Sequence, residues 1–102
     1  MAPKFDVVIE AVRYFPDGQI DLVRAYERRG PAFSDHVLLD RQKMIEILKR
    51  GRRMVTGERL TFMAGTFKVG STVRLGSHQG HEVIANSSSS ASSDHLDGVP
   101  LF

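Results

Sequence analysis

The tripeptide Pro16-Asp17-Gly18 constrains what this chain can fold into more than any other feature. Pro presets the first turn position, Asp bonds its own backbone at the second, and Gly supplies the left-handed third, so a tight hairpin loop is predicted. Both flanks, Phe5 to Phe15 and Gln19 to Arg29, are rich in β-branched and aromatic residues. Pairing Phe15 with Gln19 then places Arg13 opposite Asp21, Glu10 opposite Arg24 and Asp6 opposite Arg28. Three opposite-charge pairs follow from one register. The same register sets Tyr14 with Ile20, Val12 with Leu22 and Val8 with Tyr26 on one face, and Ala11 with Val23 and Ile9 with Ala25 on the other. Two apolar faces predict a curved sheet or barrel rather than a flat, one-sided sheet.

After Arg29-Gly30-Pro31, the run His36-Val37-Leu38-Leu39 reads as a third strand leading into a helix. Asp40 is its predicted cap, Arg41 to Arg50 its body and Gly51 its stop, with Met44, Ile45 and Leu48 turned inward. Strand-like runs follow at Arg52 to Thr56, Arg59 to Ala64 and Thr66 to Leu75, broken at Thr56-Gly57-Glu58, Ala64-Gly65 and Val69-Gly70. Leu60, Phe62, Phe67, Val69, Val73 and Leu75 supply the expected core. The expected class is mostly β, with α+β as its variant. It is a small curved sheet or a barrel of five to six strands, ordered as three strands, one short helix and two or three strands. That order suits both the Greek-key barrel that binds oligonucleotides and a small sheet covered by one helix.

The chain has 102 residues and no Cys or Trp. That length suits one core, and the missing thiols exclude a disulfide scaffold, a thiolate zinc site and a cysteine nucleophile. They suit a reducing compartment, so a cytoplasmic protein is expected. No apolar run reaches a membrane span, and the N-terminus lacks a signal-peptide pattern. From Gly76 onward Gly, Ser, His and Asn dominate, and Ser87 to Ser93 is of low complexity. Residues 1–76 therefore read as the domain and 77–102 as a flexible, acidic, Ser-rich tail.

Charge is unevenly placed. Residues 24–74 carry twelve basic and five acidic groups, whereas residues 75–102 carry three acids and no Lys or Arg. A basic segment with an acidic tail favours a nucleic-acid partner. The candidate phosphate contacts are Lys49, Arg50, Arg52 and Arg53 around the helix end, with Arg28, Arg29 and Arg74 beside them and Arg41 and Lys43 extending the field. Cations in a last helical turn also offset the helix dipole. Tyr26, Phe33, Phe62 and Phe67 could stack on bases where exposed, although a chain without Trp needs them for packing. Ser34-Asp35-His36 has the residue types of a nucleophilic relay, but extended neighbours point to opposite faces. His78, His81 and Glu82 match a metal-binding spacing only loosely and lack a further ligand. No catalytic, cofactor or metal site is expected.

The end of the chain, His95-Leu96-Asp97-Gly98-Val99-Pro100-Leu101-Phe102, follows the Ser-rich stretch. It resembles the tail of bacterial single-stranded-DNA-binding proteins, an acidic run with a Pro-Phe tip. Asp94 and Asp97 match the acids, and Pro100 and Phe102 match the tip. The acids here are separated by His95 and Leu96, and Leu101 is extra. The closing Leu-Phe is also similar to sliding-clamp-binding peptides. Both resemblances imply a partner-binding tail of Pro100, Leu101 and Phe102. The expected function is a small non-enzymatic nucleic-acid-binding module, for single-stranded or duplex nucleic acid, with a partner-recruiting tail. The alternative is a protein-interaction or homo-oligomeric assembly module.

Overall fold

The hairpin forms as its turn chemistry requires in the computed structural model, which describes residues 5–30, 32–34, 36–59, 67–86 and 93–102. Strand β1 (Val7–Tyr14) pairs antiparallel with β2 (Ile20–Arg29). Phe15 N–H donates to the Gln19 carbonyl (2.8 Å) and Gly18 N–H to the Phe15 carbonyl (2.9 Å). The Asp17 carboxylate accepts from Gln19 N–H at 2.9 Å, and Gly18 adopts φ +93°. All three expected charge pairs are present: Arg13–Asp21 at 2.9 Å, Arg24–Glu10 at 3.4 Å and Arg28–Asp6.

The middle of the register differs from expectation. Val8 faces Tyr26, Ile9 faces Ala25 and Tyr14 faces Ile20 as predicted, but Val12 lies opposite Val23 instead of Leu22, and Ala11 opposite Arg24 instead of Val23. The ladder skips Glu10 on β1 and Asp21 on β2. Each skipped residue is a bulge, and each is an acid that reaches its expected arginine from outside the ladder. The first bulge reverses the alternation of β1 and the second restores the register. Val7, Ile9 and Val12 therefore share one core with Ile20, Val23 and Ala25, while Val8 and Tyr26 belong to the opposite face.

Two short strands, β3 (Ala32–Phe33) and β4 (Val37–Asp40), lie along the outer edge of β2. Strand β4 runs directly into α1 (Arg41–Lys49), where the Asp40 carboxylate accepts from Lys43 N–H at 2.8 Å. Gly51, at φ +78°, closes it by donating to the Leu48 carbonyl. Met44, Ile45 and Ile47 are buried. Leu48, expected among them, is only partly buried against the core, so the docking face is centred one position earlier.

From α1 the chain enters β5 (Met54–Arg59), which pairs parallel to β1. Strands β6 (Phe67–His78) and β7 (His81–Ala85) then add as an antiparallel meander. The order is β3-β2-β1-β5-β6-β7, with β4 also on β2. This is a curled half-barrel sheet with one helix between β4 and β5. The parallel β1–β5 pairing makes it the one-helix sheet and not the Greek-key barrel. The breaks expected at Thr56-Gly57-Glu58 and Val69-Gly70 fall inside β5 and β6, as a register shift between Val55 and Gly57. Val69, expected in the core, is 44% exposed. Leu60, Phe62 and the Ala64-Gly65 break lie outside the described residues. Helix α1 covers one sheet face; on the other, Phe5, Phe33 and Phe67 pack over Val8, Tyr26 and Val55.

The boundary expected at residue 76 is corrected. Strand β6 crosses it, β7 pairs with β6, and Leu96 is 2% exposed in the main core. Val83, Ile84, Ala85 and Leu96, spaced through a Gly- and Ser-rich segment, suffice because each is buried against the existing sheet. Asp94 is buried as well: its carboxylate accepts from the N–H groups of Ile20 and Ile84 (3.0 Å each) and from Arg41 Nε (2.7 Å). Arg41 also donates to the Glu82 carbonyl. The low-complexity residues 87–92 lie outside the described residues.

Burial opposes the Asp94 charge, but the Arg41 guanidinium and the two N–H donors outweigh it and hold the carboxyl below its ordinary range. Asp94→Asn leaves Arg41 without its counter-charge and is expected to cost ~3 kcal/mol. By circular dichroism the melting temperature should fall by more than about 10 °C. A carboxyl depressed in the folded state stabilises fully above its unfolded value, near pH ~4, and loses this contribution as pH falls through the folded value. The gap between wild type and Asp94→Asn should therefore narrow as melts move from about pH 7 to about pH 3.

Candidate binding face

The sheet register carries basic side chains into one line across the strands. Arg28 N–H donates to the Asp6 carbonyl (2.7 Å), and Asp6 N–H donates to the Arg53 carbonyl (2.8 Å). Because Met54 pairs with Val73, the next positions outward are Arg53 and Arg74. Arg28, Asp6, Arg53 and Arg74 thus form one row across the sheet, at the ends of β2, β1 and β5 and within β6. The Asp6 carboxylate accepts from Arg53 N–H at 2.9 Å and from the Arg28 guanidinium. These bonds, the Arg53 N–H first, hold its carboxyl below the usual range.

The remaining expected cations divide around this row. Arg50 is exposed at the adjoining end of α1, and Arg52 is half-buried with its charge acting on Asp6. Arg29 is exposed at the end of β2, 3.9 Å from Glu27, and Lys49 reaches to Glu82 at 3.2 Å. The register therefore aligns Arg28, Arg53 and Arg74, with Arg28 bonded to Asp6, while Arg50, Arg52, Arg29 and Lys49 lie outside that row. Arg41, counted in the field, is engaged with Asp94.

Further along β1 the sheet divides. Strand β5 accompanies β1 only as far as Ile9. Beyond it, Val12 N–H donates to the Pro100 carbonyl (2.9 Å) and Phe102 N–H to the Val12 carbonyl (3.1 Å). The Pro100-Leu101-Phe102 tip, expected to be mobile, is thus docked along β1. The Phe102 ring lies beneath the guanidinium groups of Arg13 (5.5 Å) and Arg24 (5.6 Å). Strand β5 bends away at Thr56, where β6 passes so closely that a Cβ on Gly70 would lie 2.5 Å from Thr56 Oγ1. The split leaves a cleft of about 890 Å³, with Glu10, Arg24, Tyr26, Arg59, Lys68 and Leu101 in its walls.

At one side of the cleft Glu10 organises a polar cluster. His36 Nε2 lies 3.1 Å from Glu10 Oε2 and 2.6 Å from Tyr26 Oη. An ionised carboxylate only accepts, so Nε2 carries the proton and the Tyr26 hydroxyl also donates to Glu10. Burial pushes the Glu10 carboxyl up, but the bonds from Tyr26 and His36 and the charges of His36 and Arg24 bring it below its ordinary value. Burial, with the Glu10 bond and charge, pushes the Tyr26 phenol up to about 12. At neutral pH Tyr26 is therefore a fixed donor and not an acid or base. The Arg59 guanidinium stacks over Tyr26 (4.3 Å) and Phe67 (5.5 Å) and donates to the Ser34 carbonyl (3.1 Å).

The other candidates take different roles. Ser34 Oγ accepts from Glu27 N–H at 3.1 Å while His36 turns to Glu10; Asp35 lies outside the described residues. His78 and His81 face each other across the β6–β7 turn, with Glu82 opposite Ser77. Among the described residues no group of three or more acids or histidines is placed to hold a metal. Tyr26 is buried and Phe33 and Phe67 half-buried, with Phe62 outside the described residues. Arg59 and Lys68 were missing from the expected basic set. Pairing of β5 with β6 sets Arg59 beside Phe67 on the aromatic face and Lys68 beside Glu58 at the next register position, with both Arg59 and Lys68 bordering the cleft.

Comparison with known proteins finds no matching family model, curated protein or solved structure. No helix among the described residues is long and apolar enough to cross a membrane.

The Glu10 cluster can be read through its phenol. Tyr14 and Tyr26 are the two tyrosines of the chain. In a Tyr14→Phe background, phenolate absorbance should titrate near pH 12, and adding Glu10→Gln should move the midpoint down toward the ordinary value of about 10. An unchanged midpoint would contradict the Glu10–Tyr26 contact.

Proposed function

We propose that the chain is a small nucleic-acid-binding module that contacts phosphates through the cross-sheet row of Arg28, Arg53 and Arg74, with Arg50 and Arg52 beside it. The observation that carries this reading is the register: cations far apart in sequence are set on adjacent or next-adjacent strands, at steps of about 4.8 Å. Such a row meets a backbone of regularly spaced charges better than scattered surface cations do. Asp6 anchors one end by orienting Arg28. The row presents charge and no arranged base-reading groups, so recognition is backbone-directed and sequence-tolerant.

The acidic, partner-recruiting tail is not part of this reading. The Asp94 charge is spent inside the fold on Arg41, and the Pro100–Phe102 segment lies along β1. The same burial removes an acid that would compete with phosphates for the basic row.

Fluorescence anisotropy with labelled oligonucleotides tests the proposal. Affinity should fall by at least about tenfold between about 50 and about 200 mM salt. Arg50→Glu with Arg74→Glu should weaken binding to every sequence alike and flatten the salt slope by about two contacts. Absence of binding at low salt, or a double variant that binds like wild type, would overturn it.

A further inference from the structure

We propose that the nucleic acid is single-stranded, and that it runs from the arginine row across the sheet face opposite α1 into the cleft between β5 and the Pro100–Phe102 segment. This rests on the nucleic-acid reading above and adds a second site to it. Arg24 lies four positions from Arg28 along β2, about 13 Å away at strand rise, and Arg59 lies over Tyr26 and Phe67 on the same face. One face thus has cations at both ends. Between them sit Tyr26 and the half-buried rings of Phe33 and Phe67.

The cleft is built for a flexible strand and not for a duplex. Its volume of about 890 Å³ is in the range that encloses a compact small molecule, which matches a nucleotide or two and excludes paired strands. Arg24 and Arg59 line it, and Lys68 is exposed at its mouth without an ion pair among the described residues. Glu10 adds little repulsion, because Arg24 and the Tyr26 and His36 bonds already engage it. Val69, 44% exposed, and Leu101, 72% exposed, provide apolar lips against which a base can lie. Gly57 and Gly70 carry no side chain into the space. A duplex reaches the cross-sheet row but not this interior, so the cleft discriminates where the row does not.

The full chain and its Lys68→Glu and Lys68→Arg variants test this, since Lys68 is exposed and its replacement leaves the core intact. The probes are a labelled oligo-dT of about 12 nucleotides, within the usual span for single-strand binders, and a mixed-sequence duplex of equal length. Wild type should bind the single strand about tenfold tighter than the duplex at low salt. Lys68→Glu should weaken single-strand binding about fivefold while changing duplex binding less than about twofold, and Lys68→Arg should behave like wild type. Equal affinity for both probes, or a Lys68→Glu effect that is absent or the same on both, would overturn the inference. Sensitivity of both probes to the Arg50 and Arg74 replacements would still leave the broader reading standing. Failure of both probes to bind would overturn the broader reading and this inference with it.

Discussion

Four hydrogen-bond donors from three parts of the chain converge on the carboxylate of Asp94: the N–H of Ile20 at the start of β2, the N–H of Ile84 in β7, and two nitrogens of Arg41 at the start of α1. A buried carboxylate is tolerable only when its lone pairs are occupied and its charge balanced, and here both conditions are met. The contact ties the helix to the first hairpin and the last strand. It also directs the C-terminal residues. Leu96 enters the core, its N–H donates to Tyr14 Oη at 2.9 Å, and the chain then reaches β1 at Val12. One wall of the cleft exists because of this placement.

The first hairpin, the helix and its caps were legible because each depends on local chemistry: Pro-Asp-Gly for the turn, Asp40 and Gly51 for the helix ends. The two bulges were not. Glu10 and Asp21 satisfy the same arginines whether they sit in the ladder or outside it, so the charge pattern fits both the regular and the bulged strand. Only burial of Val12 against Val23 distinguishes them. The segment after Gly76 misleads for another reason. Its Gly and Ser content is that of a linker, while His81-Glu82-Val83-Ile84-Ala85 is a short strand whose partner is β6, and the buried charge of Asp94 finds Arg41 from 53 positions away. No local pattern reports such a contact. The expected cations, by contrast, were legible as residues but not as a group, since β pairing alone places Arg28, Arg53 and Arg74 together.

The site depends on the same geometry. The bulge at Glu10 turns an acid toward Arg24, Tyr26 and His36, which rigidifies one side of the cleft. The close passage of Gly70 over Thr56 bends β5 and β6 away from β1 and opens the other. Helix α1 occupies one sheet face, so the opposite face carries the basic row, the half-buried aromatics and the cleft together. Binding chemistry is therefore concentrated where the fold leaves the sheet open.

The central claim, that Asp94 makes the last part of the chain integral to one cooperative fold, is tested most directly by native-state amide hydrogen exchange at Ile20, Ile84 and Leu96. The account predicts that all three amides exchange only through global unfolding, with the same free energy as Val23 in the hairpin core. Exchange of Ile20 and Ile84 at a free energy lower by more than about 2 kcal/mol, while Val23 stays protected, would show local opening of the Asp94 contact and contradict it.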